Sequence, residues 1–229
     1  FAGMTAALDE SVGAQRRLVA DASHELRTPL TSLTVNLELL AEDLTDRQAP
    51  HLAAEALDQA GELKTLINDL VDLARYGQPA FHTEDVRLDL VAERVAARAT
   101  RRATQIEFEL TCAPTLVHGD PDALERAVAN LVDNAVKWSP SGGQVRISVK
   151  EGTLDVADAG PGIPDSDLEF VFDRFYRSPT ARAHPGSGLG LAIVRQVAEA
   201  HGGTAEVVPR SSGALLRLKL PVSSRTCQP

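Results

Sequence analysis

Four short runs of residues carry groups whose types and spacing could do chemistry. The first is Ser23-His24-Glu25-Leu26-Arg27-Thr28-Pro29-Leu30. A neutral imidazole keeps a lone pair on one ring nitrogen and can act as a nucleophile. The adjacent Glu25 can accept or orient the proton on the other nitrogen. The second run contains Asn130, Asn134 and Lys137, at i, i+4 and i+7 of one predicted helix face. Two amide oxygens and a cation on one face suit Mg²⁺ with phosphates, because Mg²⁺ takes few protein oxygens and keeps phosphate and water as its other ligands. The third is Asp158-Ala159-Gly160-Pro161-Gly162. A carboxylate at a strand end can accept from an exocyclic amine such as that of adenine, and the glycines let the backbone approach a flat ligand. The fourth is Gly186-Ser187-Gly188-Leu189-Gly190, directly before an apolar helix. Amide N–H groups at such a helix start bind phosphate. It is neither a Walker loop nor a dinucleotide fingerprint, since no G-x-x-x-x-G-K-[ST] occurs and position 191 is Leu.

These groups need elements to hold them. Leu26, Leu30, Leu33, Leu37, Leu40 and Leu44 are spaced 4, 3, 4, 3 and 4 apart, a heptad seam on one long helix over about 8–44. His24 lies one step off that seam, on its solvent flank. Pro29 should bend the helix just beyond it. Residues 45–50 break the pattern, and a second helix over 51–76 carries Leu52, Ala56, Leu63, Leu66, Leu70 and Leu73 on a comparable seam. One hairpin cannot bury both stripes well, so a dimer forming a four-helix bundle is predicted. Composition makes 77–84 a linker. Beyond it the pattern is mixed α/β: helices over 89–101, 121–138 and 189–201, and strands over 105–110, 115–119, 144–150, 153–158, 204–208 and 214–220. Asp120 is a predicted N-cap with Pro121 at the first helical position. Between the third and fourth runs, 172–177 leads into a polar stretch, 178–185, that reads as a lid.

Composition excludes several classes. The 229 residues are 43% hydrophobic and 24% charged, an ordinary globular balance. The net charge is −9, which disfavours coating nucleic acid or an anionic membrane. That charge is uneven: residues 1–76 hold 6 basic and 13 acidic side chains, and the rest 17 and 19. Two cysteines, Cys112 and Cys227, build neither a disulfide framework nor a Cys-rich zinc site. No uncharged apolar run reaches the ~18 residues of a membrane helix. The start at Phe1 suggests a piece of a longer chain.

Each run is a modest signal alone, but their order and spacing are specific. Together they resemble the catalytic core of a bacterial sensor histidine kinase. Residues 20–30 resemble the H box, 130–138 the N box, 158–163 the G1 box, 170–177 the F box and 186–191 the G2 box. The resemblance implies a multidomain α and α+β protein, in which a helical-hairpin dimerisation domain precedes an α/β sandwich ATP-binding domain. The implied domains are the end of a HAMP-like linker (1–7), the dimerisation and phosphotransfer hairpin (8–76), a linker (77–84), the catalytic domain (85–222) and a disordered tail (223–229).

By the same resemblance His24 is the phosphoacceptor, Glu25 its acid/base partner, and Thr28 positions water for dephosphorylating the regulator. Asn130 and Asn134 would hold Mg²⁺, Lys137 would meet phosphate and Trp138 would pack on the nucleotide. Asp158 would read adenine beside Gly160 and Gly162, and Arg177 would reach the γ-phosphate. Gly186, Gly188, Leu189 and Gly190 would hinge the lid and cradle phosphates. The family implies ATP and Mg²⁺ as cofactors. Its implied partners are a second copy of the chain and a response regulator, docking near Thr31, Ser32, Val35 and Asn36. Nucleic acid is not among the partners, and any membrane attachment would come from segments outside this chain. Ala159 stands where the family often has Asn, and Trp138 where it usually has Tyr or Phe. Two rivals remain at this point: another ATPase of the same nucleotide-binding fold, and a scaffold that binds ATP without turnover.

Overall fold

A computed structural model describes residues 22–23, 25–40, 49–76, 82–179, 181 and 186–223. His24, the predicted HAMP-like start, the hairpin turn, most of the predicted lid and the predicted tail therefore lie outside the described residues. The chain groups into two compact units.

The helical unit contains α1 (residues 25–40) and α2 (Ala49–Tyr76) as far as Val71. The second helix begins two residues before its expected start. Pro50 is no obstacle there, because the first turn of a helix has no i−4 acceptor for the N–H that proline lacks. The two helices are tied by polar side chains: Gln59 Nε2 donates to Ser32 Oγ at 2.6 Å, and Asn36 Nδ2 donates to Gln59 Oε1 at 3.4 Å. Asn36 is buried and Ser32 half-buried by this bridge. Their expected place on an outward docking surface is thus corrected: within one hairpin they face α2, while Thr31 and Val35 are exposed. The Leu seam is only partly covered. Ala56 and Leu66 are buried, whereas Leu30 is 52% exposed and Leu37 53%; Leu57, one residue off the second seam, is 73% exposed.

The second unit is α/β. Its elements are β1 (Glu84–Arg87), α3 (Leu88–Arg102), β2 (Glu107–Cys112), β3 (Leu116–Gly119), α4 (Pro121–Trp138), β4 (Gln144–Lys150), β5 (Thr153–Ala157), α5 (Gly190–Ala200), β6 (Thr204–Val207) and β7 (Leu215–Lys219). Five strands form one sheet in the order β2-β4-β5-β7-β6, with β2 and β4 parallel and every other pair antiparallel. The parallel pair requires a crossover, and β3 with α4 supplies it. The short β1–β3 pair stands apart. β1 was not expected, because its four residues (EDVR) show too little alternation to separate them from the linker.

Alternation decides which face of the sheet is dry. Val145, Ile147 and Val149 of β4, Leu154 and Val156 of β5, and Leu216 and Leu218 of β7 are all buried. They meet Leu124, Val128 and Leu131 of α4 and Ile193 and Val197 of α5, which are also buried. The intervening residues make a charged outer face, where Arg217 pairs with Asp155 at 2.7 Å and Lys219 with Glu206 at 2.8 Å. The Asp120 cap is as expected: its side chain accepts from Asp122 N at 2.9 Å and Ala123 N at 3.2 Å.

Asp89 fastens the first helix of this unit. Its carboxylate is buried, accepts from Arg87 Nε at 2.9 Å and takes the Thr115 backbone N–H at 3.0 Å. Burial raises its pKa, but the Arg87 and Thr115 hydrogen bonds and the Arg87 charge outweigh burial and leave it below the ordinary Asp value. A depressed folded pKa means stability that is present above the unfolded value and lost as pH falls through the folded one. Asp89→Asn should therefore cost about 1–3 kcal/mol near neutral pH. In urea titrations, the gap between wild type and Asp89→Asn should close as the pH is taken below the ordinary Asp range. A gap that stays constant into acid would refute this.

Candidate active site

The N-box residues share α4 because that helix is amphipathic at period 3.6. Ala127, Leu131 and Ala135 turn into the core, while Asn130, Asn134 and Lys137 stay half-buried on another flank. Asn130 Nδ2 is buried with no hydrogen-bond partner among the described residues, a costly state for an amide and one expected where a ligand is to be met. Gly190, at the start of α5, lies against this side chain: a Cβ there would come 3.7 Å from Asn130 Cγ. The fourth run therefore brings a helix N-terminus to the second.

Lys137 Nζ lies 5.2 Å from the centroid of the Trp138 ring. Burial, together with the Arg177 guanidinium, pushes its ammonium below the ordinary Lys value. Two cations within electrostatic reach repel each other, and an anion between them would remove that cost. Arg177 and Lys137 are thus within electrostatic reach of each other.

Asp158 is held from behind. It is 6% exposed, and its Oδ1 accepts from Gly160 N at 2.8 Å and Ala214 N at 2.9 Å. Its own N–H donates to Ala214 O at 3.0 Å. The turn that follows Asp158 rests on the end of α4: a Cβ on Gly160 would sit 2.6 Å from Trp138 O, and Ala159 N donates to Ser139 Oγ at 3.4 Å. Gly162 has φ +83°, in the left-handed region. F and G2 boxes also interlock. Phe175 N donates to Gly188 O at 3.1 Å, and a Cβ on Gly188 would fall 2.8 Å from the Phe175 carbonyl carbon. Phe175 holds φ +61°, a strained conformation for a bulky residue, opposite Gly188 at φ +71°.

The structure thus gathers Asn130, Lys137, Trp138, Asp158, Gly160, Arg177, Gly188 and Gly190 about the end of α4 and the start of α5. Leu189 is fully buried, so only its backbone can face a ligand. Gly186 is exposed, next to residues outside the description. Glu25 and Thr28 are exposed on α1. Gly213 and Ala214 were missed by sequence reasoning. A Cβ on Gly213 would lie 2.0 Å from Asp158 O, so the turn before β7 can support Asp158 only as glycine. Ser211-Ser212-Gly213 reads as a turn, but nothing local to it says that the turn backs a carboxylate more than fifty residues away.

Known proteins bear on this geometry directly. Residues 14–79 match the His Kinase A (phospho-acceptor) domain, and residues 119–224 match the histidine kinase-, DNA gyrase B- and HSP90-like ATPase. A solved mycobacterial sensor histidine kinase, MprB, is 43% identical, with a TM-score of 0.55 over 61% of this chain and 97% of that one. The chain belongs to the sensor histidine kinase family. Its phospho-acceptor domain separates this family member from stand-alone ATPases of the gyrase and HSP90 kind. The histidine-protein kinase/phosphatase MprB of Mycobacterium sp. (strain KMS) is 48% identical over 90% of this chain, which spans 42% of that relative's length. The Acinetobacter baumannii histidine kinase AdeS is 28% identical, with a TM-score of 0.70 over 88% of this chain and 98% of that one. The architecture is the expected one, a helical hairpin followed by an α/β ATPase domain.

Proposed function

We propose that this chain is the catalytic core of a two-component sensor kinase, which transfers the γ-phosphoryl group of ATP to His24 and then to an aspartate of a response regulator. The observation that carries the reading is the meeting of an orphaned Asn130 amide, two converging cations and a helix N-terminus at one place, in a chain that also bears a phospho-acceptor domain. Asn130 and Asn134 fit Mg²⁺, since neutral amide oxygens leave room for phosphate and water ligands. When bound, Mg²⁺ would neutralise charge on the phosphates.

The chain's own groups do the positioning. Asp158, with Oδ1 occupied by backbone N–H groups, offers its remaining oxygen to the adenine amine. Gly160 and Gly162 bring backbone to the base, and Trp138 gives it an apolar wall. Lys137 and Arg177 meet the phosphates, with backbone N–H groups from 188–190. The His24 ring nitrogen attacks the γ-phosphorus. An N–P bond forms, the bond from phosphorus to the bridging oxygen breaks, and ADP leaves. Glu25 takes the proton that the imidazole gives up. Acceptor and nucleotide belong to different domains, so the linker over 77–84 must bring them together. Thr28 would position water for the reverse duty, removal of phosphate from the regulator.

A homodimer is supported by Leu30, Leu37 and Leu57, whose exposure leaves apolar area uncovered in one hairpin. Covering the part of each such side chain that stays exposed would stabilise by on the order of 1 kcal/mol, and a second hairpin would do so. A cytoplasmic position, in a longer membrane-anchored sensor, goes with this reading. Among the described residues no helix is long and apolar enough to cross a membrane.

The test is chemical. Incubated with γ-labelled ATP and Mg²⁺, the protein should acquire label that survives base and is lost in acid, as an N–P bond requires. Release of free phosphate with no labelled protein would favour a plain ATPase.

A further inference from the structure

The run His201-Gly202-Gly203 has no part in the site above, yet His201 makes two directed contacts. Its Nε2 lies 3.0 Å from the backbone N of Asp120, and its Nδ1 lies 2.7 Å from Val197 O. The first neighbour can only donate and the second only accept. The pair therefore fixes the tautomer, with the proton on Nδ1 and the lone pair on Nε2. The ring is fitted into place: a Cβ on Gly119 would come 2.4 Å from His201 Cδ2, so the residue before the α4 cap must be glycine for the ring to enter.

The location matters more than the bond. Asp120 is the N-cap of α4, and His201 the C-cap of α5. At the other end of α5, Gly190 lies on Asn130, midway along α4. The helices are thus antiparallel and joined twice, by close packing at the nucleotide end and by a polar bond at the far end. Asn130 is ten residues along α4 from Asp120, about 15 Å at 1.5 Å per residue. Apolar packing between helices resists separation more than sliding, because the hydrophobic effect has no direction. A directed hydrogen bond at the far end resists sliding.

We propose that His201 is a positioning residue for nucleotide binding: it sets the axial register of α4 against α5, and so the alignment of Asn130 and Asn134 with the phosphate-facing amides that begin α5. This rests on the nucleotide-site reading above. Loss of the tether leaves every ligand-facing group present but lets two halves of the site shift relative to each other, and small misplacements of such groups weaken function sharply.

Three variants test it, with binding of Mg²⁺ and a non-hydrolysable ATP analogue measured by calorimetry and melting measured without nucleotide. In His201→Gln the side-chain oxygen can take the place of Nε2 as acceptor for Asp120 N. In His201→Asn the shorter amide can serve Val197 O but cannot reach Asp120. His201→Ala serves neither. The Gln variant should bind the analogue within about threefold of wild type, and Asn and Ala should bind about tenfold more weakly, the low end of what loss of an outer-shell partner costs. The ATP concentration for half-maximal self-labelling should rise in the same order, while the labelling rate at saturation changes less. If His201→Ala does not fold, the Gln and Asn variants still decide. Equal binding by wild type and His201→Asn, or weak binding by His201→Gln at unchanged melting temperature, would overturn the tether. Absence of binding by wild type would instead overturn the nucleotide-site reading beneath it.

Discussion

His24→Gln should reduce self-labelling from γ-labelled ATP to background while leaving nucleotide affinity unchanged. Glutamine has comparable bulk and polarity, but its amide nitrogen has no available lone pair and cannot form the N–P bond. In the proposed reading the acceptor and the nucleotide site are carried by different domains, so the substitution would remove one reactant without touching the other. Label measured after acid and base washes, beside calorimetry with the ATP analogue, reads both halves. Undiminished labelling would mean that another group accepts the phosphoryl. Loss of analogue binding would mean that residue 24 does more than accept.

Asp158→Ala should have the opposite signature. Oδ1 of this side chain satisfies the N–H groups of Gly160 and Ala214, at 2.8 and 2.9 Å. Truncation strands both donors, at about 1–3 kcal/mol each where they stay buried, and would remove the oxygen that the proposed reading offers to adenine. Affinity for the ATP analogue should fall on the order of 100-fold, about 2.7 kcal/mol. Self-labelling should fail at ATP concentrations that saturate wild type, and the melting temperature without nucleotide should also drop. Unchanged affinity would remove Asp158 from the base-reading role, and with it the purpose of the Gly213 turn behind it.

Elements with strong local signals match their expectation closely. α4 runs from Pro121 to Trp138, the expected bounds, because an aspartate cap, a proline at the first position and a 3.6-residue apolar period all agree. β4 follows its alternation from Gln144 to Lys150. Where the signal was weak the sequence was silent or off by a few residues. β1 went unseen, since four residues carry little periodicity. β2 begins two residues later than expected, because its register is set by pairing with β4, where Glu107 opposes Gln144. The two Leu seams were visible, but which leucines one hairpin covers was not: that depends on the facing helix.

The chemical groups of this protein were written in its sequence. Residue type fixes what an imidazole, an amide oxygen or a carboxylate can do, and local spacing fixes which of them share a helix face. What tertiary structure alone decided is which distant groups support them. The Gly213 turn behind Asp158, Gly190 against Asn130, Arg177 beside Lys137 and His201 on the α4 cap each join residues from different elements. Such contacts follow from how helices pack on the sheet, and that packing is a property of the whole core, which no local stretch of chain encodes.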